Sequence, residues 1–138
     1  MPKNIVVCCD DVFSVSSSNV VRLYSTLKRD RSQAAFFYPG VEMRSAPFGR
    51  TVRNLVEFST GLGVFDELRT AYRFLMNTYE PGDKLFLFGA GRGGYTVRML
   101  AGMLNLVGLL DRGSETLVPW LSQWRVPSTT GRLRLHAK

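Results

Sequence analysis

Lys84-Leu-Phe-Leu-Phe-Gly89-Ala-Gly91-Arg-Gly-Gly94-Tyr-Thr-Val-Arg98 reads as an apolar strand, a glycine-packed turn and the start of a helix. A strand that feeds a helix through so tight a turn is where α/β proteins place a nucleophile or a phosphate-binding loop. Both spacings are present. Gly89, Gly91 and Gly94 fit G-x-G-x-x-G, and Asp111 lies 20 residues after Gly91. In that dinucleotide reading the glycines let a pyrophosphate approach a helix N-terminus and Asp111 holds a ribose. Gly89 and Gly93 equally fit the flanks of G-x-Nuc-x-G, with position 91 as the nucleophile and the Arg92 N–H as one oxyanion donor. A working hydrolase would carry serine at 91; this chain carries glycine, which has no side chain to attack anything.

Upstream, residues 4–9 (Asn-Ile-Val-Val-Cys-Cys) and 34–38 (Ala-Ala-Phe-Phe-Tyr) are short apolar runs suited to buried parallel strands, as are residues 84–88. Ser18 or Asn19 is placed to cap a helix carrying Val20, Leu23, Tyr24 and Leu27 and ending in Lys28-Arg-Asp-Arg31. Phe65, Leu68, Tyr72, Leu75, Met76 and Tyr79 mark an amphipathic helix, with Asp66 and Glu67 suited to its first turn and Pro81-Gly82-Asp83 as its stop. A further helix runs from about Gly94 to Asn105. Residues 41–61 lack a period and read as a long loop. Strand–helix alternation with unbroken apolar strands predicts an α/β fold: a three-layer sandwich around a mostly parallel sheet, covered on both faces. Three strands are few for such a sheet, so the chain reads as part of a domain.

The chain has 138 residues, 45% of them hydrophobic, enough for one modest core. Its charge is +7, of which Arg125, Arg132, Arg134 and Lys138 supply +4, leaving +3 on residues 1–124. That basic end reads as a disordered tail over 125–138. The arginines elsewhere do not interleave with aromatics, which argues against a nucleic-acid platform. No apolar run is long enough for a membrane span or a signal peptide, so synthesis in the cytoplasm is the expectation. Cys8 and Cys9 are adjacent, with no Cys/His cluster around them; they read as buried thiols, and neither a metal nor a cofactor is expected. His136, in the tail, reads as a surface residue, and Ser14, Ser16, Ser17 and Ser18 as loop and cap residues. Trp120 and Trp124, four apart, suit one helix face whose exposure would favour self-association.

The ordered set Asn4-Ile-Val-Val-Cys-Cys-Asp10, Ser18-Asn19-Val-Val-Arg-Leu-Tyr24, Phe37-Tyr-Pro-Gly-Val41 and Gly61-Leu62 continues with Ala71-Tyr-Arg-Phe-Leu75, Tyr79-Glu-Pro-Gly-Asp-Lys-Leu-Phe-Leu-Phe-Gly89, Tyr95-Thr-Val-Arg98 and Leu100-Ala-Gly-Met-Leu104. Over residues 4–124 it resembles the α/β-hydrolase domain family that includes the type VI secretion phospholipase effectors. The resemblance implies a partial α/β-hydrolase fold over 1–124, an ester or lipid substrate for the parent family, export by a type VI system, and a Ser–Asp–His triad. The family elbow reads Gly-Phe-Ser-Arg-Gly, so Gly91 stands in the serine's place between Gly89 and Gly93. The family's first loop reads Asp-Gly-Thr-Gly; this chain keeps Asp10, which could serve a pocket, but has Asp11, Val12 and Phe13 after it. Arg92 and Asp11 are thus the candidate oxyanion-hole residues. The expectation is a truncated, degenerate and catalytically inactive hydrolase domain. A dinucleotide-binding module on Gly89, Gly91, Gly94 and Asp111 and a non-catalytic interaction scaffold are the alternatives.

Overall fold

The computed structural model describes residues 1–11, 18–39 and 62–121. Strands β1 (Asn4–Cys9), β2 (Gln33–Tyr38) and β3 (Lys84–Gly89) form one parallel sheet in the order β2-β1-β3. The central strand is the most apolar: Ile5, Val6, Val7, Cys8 and Cys9 are all buried. Its register sets Cys9 beside both Tyr38 and Gly89, so the three strands end together at one edge. The parallel strands and their adjacency are those expected from the apolar runs.

Helices cover the sheet unequally. Because successive strand residues point to opposite faces, Ile5, Val7 and Cys9 pack on one side and Val6 and Cys8 on the other. The first side meets α2 (Leu62–Thr78) and α3 (Arg92–Val107) through Leu68, Ala71, Tyr72, Leu75, Met76, Leu100 and Met103. The second side meets α1 (Asn19–Thr26) through Val20, Leu23 and Tyr24, with Tyr24 stacked on Phe37 at 4.9 Å. A three-layer arrangement results, with α1 packed on β1 and β2. On β3 the residues of that face, Phe86 and Phe88, stay about 40% exposed, where the sequence predicted cover on both faces.

Local signals explain most of the element boundaries. Ser18 caps α1, its Oγ accepting the Val21 N–H at 3.1 Å. That helix stops at Thr26, short of the expected end in Lys28-Arg-Asp-Arg31, where Leu27 turns to an extended backbone at the cap. The helix expected over Phe65–Tyr79 begins three residues earlier, at Leu62. Asp66 and Glu67 therefore fall beyond its first turn, which holds no acid, and Glu67 points into the protein. A 3₁₀ turn (Glu115–Leu117) and a short helical turn α4 (Val118–Leu121) close the described chain. The expected loop over 41–61, the tail over 125–138, Ser14, Ser16, Ser17, Trp124 and His136 lie outside the described residues. Among those described, no helix is long and apolar enough to cross a membrane.

Tyr72 ties α2 to the segment that follows α3. Its side chain is fully buried, and its hydroxyl donates to the Gly108 carbonyl at 2.9 Å while accepting the Leu110 N–H at 3.1 Å. Gly108 ends α3 with a φ of 77°, a conformation that favours glycine, and turns the chain back toward α2. Tyr72→Phe removes both bonds and leaves a carbonyl and an amide to find other partners. It is expected to cost about 1–3 kcal/mol in urea unfolding, with the slope of the transition unchanged.

Candidate functional site

The site predicted from the glycine spacing lies where β3 turns into α3, at the edge where the three strands end. The turn is built by backbone contact. A Cβ on Gly93 would collide with the Cys9 carbonyl, and a Cβ on Gly89 with the Gly93 carbonyl. The Ala90 N–H donates to the Cys9 carbonyl at 3.2 Å, pinning the turn to β1. Glycine at 89 and 93 is thus a steric requirement. Gly94 is under no such pressure, since its nearest contact to a Cβ would be an ordinary 3.5 Å.

Gly91 is the residue immediately before α3, with φ 51° and ψ −121°. That positive φ is a conformation any residue with a side chain adopts only under strain. The space a side chain would need there is taken: a Cβ on Gly91 would run into Oδ2 and Cγ of Asp11. The other carboxylate oxygen, Asp11 Oδ1, accepts the Arg92 N–H at a long 3.4 Å. Asp11's own N–H donates to Asp10 Oδ1 at 2.9 Å. Asp10, buried, has its Oδ2 taken by the Ser18 hydroxyl at 2.7 Å, so it links the end of β1 to the cap of α1. Asp11, Gly91 and Arg92 are therefore brought together, and Asp10 stands behind them in a structural network. Asp111 is exposed on the chain after α3, in no strand.

Beneath the turn lies a polar cluster that periodicity did not reveal. Glu67 on α2 is buried, and its Oε2 accepts the Thr96 hydroxyl of α3 at 3.0 Å. The Cys9 thiol of β1 lies close enough to the same carboxyl group for each to shift the other's pKa. The Arg92 guanidinium lies against the bare Cα of Gly63, one turn before Glu67, where a Cβ would strike it. Glu67 Oε1 and the Nε and Nη1 of Arg92 are buried with no hydrogen-bond partner among the described residues. Burial pushes the Glu67 carboxyl up from its ordinary value, against the opposing pulls of Thr96, Cys9 and Arg92. Burial likewise pushes the Cys9 thiol up, helped by the negative charge of Glu67. A thiol held so firmly protonated is a poor nucleophile.

The profile of the family described as "T6SS, Phospholipase effector Tle1-like, catalytic domain" matches residues 3–130, slightly more of the chain than the residues carrying the resemblance. An uncharacterised protein of Saccharomyces cerevisiae, YEL023C, is 33% identical over 131 residues. The alignment covers 84% of this chain and 19% of the yeast protein, so the chain spans about a fifth of that relative's length. No solved structure matches.

The buried carboxyl sets a pH signature. A folded-state pKa raised above the ordinary 4.5 means that the folded protein holds the proton more tightly than the unfolded chain. Glu67 therefore withdraws stability as the pH rises from 4.5 through its folded-state value, and Glu67→Gln has no such proton to lose. Melting of both proteins across roughly pH 4–8 is expected to show the variant gaining on the parent as the pH rises. Parallel curves would contradict it.

Proposed function

The chain belongs to the Tle1-like phospholipase effector family of the type VI secretion system, and on that premise we propose that residues 84–98 are a hydrolase elbow that has lost its nucleophile. The observation that carries the reading is the backbone of Gly91. It keeps a strained, positive-φ conformation at a strand–turn–helix junction, with Gly89 and Gly93 required on either side. A dinucleotide loop needs no such strain at its second glycine, whereas an elbow uses it to hold the nucleophile out from the sheet.

In the parent chemistry a serine at this point attacks an ester carbonyl. The next backbone N–H, here that of Arg92, steadies the developing oxyanion. Gly91 supplies no oxygen, so no acyl-enzyme forms at this position. The Cys9 thiol is no substitute, being fully buried and held protonated by that burial. In this reading the domain retains a hydrolase scaffold without the hydrolytic reaction.

This 138-residue chain is accordingly expected to turn over p-nitrophenyl esters and phospholipid vesicles no faster than buffer. Ester hydrolysis that is abolished by changing one of its serines to alanine would refute the reading. At millimolar NAD, NADP or FAD, calorimetry is expected to register no binding. A saturable signal weakened by Asp111→Ala would favour the dinucleotide alternative instead.

A further inference from the structure

We infer that Asp11 and Gly91 form one interlocked pair: the Asp11 carboxylate fills the room of the absent nucleophile side chain, so position 91 regains a side chain only if Asp11 shifts. The functional meaning of this rests on the emptied-elbow reading above, but the interlock itself is a matter of packing. A Cβ built on Gly91 meets not only the Asp11 carboxylate but also the Asp11 Cβ, at 3.0 Å. Rotating the carboxyl about the Cα–Cβ bond moves the former and leaves the latter in place. Besides a rotated carboxyl, a side chain at 91 thus needs the Asp11 Cβ to give by a few tenths of an ångström.

The Asp11 backbone is held from behind. The Asp11 N–H donates to Asp10 Oδ1, Asp10 Oδ2 accepts the Ser18 hydroxyl, and Ser18 caps α1. Displacing Asp11 would pull on the cap of a helix on the other face of the sheet. The carboxylate also sits at the N-terminus of the 16-residue α3, where the helix dipole favours an anion, and it accepts the Arg92 N–H. That same amide is the one an ester oxyanion would use, and a fixed negative charge beside it opposes the build-up of another. Asp11 thus closes the turn twice, once by volume and once by charge. Loss of the elbow's activity is then distributed over two positions, and Gly91→Ser alone neither fits without a shift of Asp11 nor finds a vacant oxyanion donor.

A double-mutant cycle read by stability tests the interlock without any ester present, so its outcome is independent of the hydrolysis assay. The proteins are the parent, Gly91→Ala, Asp11→Gly and the double variant combining the two, each unfolded by heat and by urea. Strain at the positive φ lowers the midpoint in both backgrounds, but the collision exists only with Asp11. The drop caused by Gly91→Ala is expected to be about twofold larger, or more, in the parent than in the Asp11→Gly background. Equal drops would overturn the proposal. Asp11→Asn keeps the volume and removes the charge, so Gly91→Ala in that background is expected to cost nearly what it costs the parent. Relief as complete as that given by Asp11→Gly would overturn it. Should Gly91→Ala alone fail to fold, a folded double variant supports the interlock and an unfolded one refutes it.

Discussion

Gly93 rests on the carbonyl of Cys9, and Gly89 rests in turn on Gly93, with no room for a Cβ at either contact. The geometry of the sheet edge follows from this backbone-on-backbone approach. It fixes where α3 begins relative to the end of β1, and it places the Arg92 amide next to Asp11 rather than in solvent. It also sets the height of α3 over the sheet, so that Leu100 and Met103 reach the layer formed by Ile5, Val7 and Cys9. A methyl group at either glycine would lift the helix from the strand and loosen the contacts beyond it.

The second device holding the turn is polar. The Glu67–Thr96 bond joins α2 to α3 one turn below the junction, and the Cys9 thiol brings β1 into the same cluster. Burying a carboxyl group is costly, and that burial raises the Glu67 pKa. The Arg92 guanidinium, lying over Gly63, is the compensating charge. The residue whose amide faces Asp11 thus sends its own side chain the opposite way, over Gly63.

The sheet was legible because its cause is local. Three apolar runs of β-branched and aromatic residues admit little besides strands, of which only β1 is buried, and Ser18 before Val20 suits a cap. The glycine turn was legible for the same reason, as its pattern lies within a few residues. What escaped depended on distant partners. Glu67 near a helix start looks like a companion of the helix dipole, and only Thr96, 29 residues on, reveals it as a buried acceptor. Phe86 and Phe88 have the composition of buried strand residues, yet both stay about 40% exposed. Asp11 was visible as a departure from small residues in the first loop. That its carboxylate stands over Gly91 could not be read from positions some 80 residues apart.

The two neighbouring cysteines lead somewhere different. Cys8 and Cys9 are both free and fully buried, on opposite faces of β1: Cys8 among Val6 and Val20 under α1, Cys9 among the residues of α2 and α3. Alkylating reagents act on exposed thiolates, so neither sulfur reacts until its own layer lifts. Separate rates of label uptake at the two sulfurs then report two opening free energies, one for each side of a single strand. The chain carries in adjacent residues a built-in pair of clocks for whether its two layers come apart together or in turn.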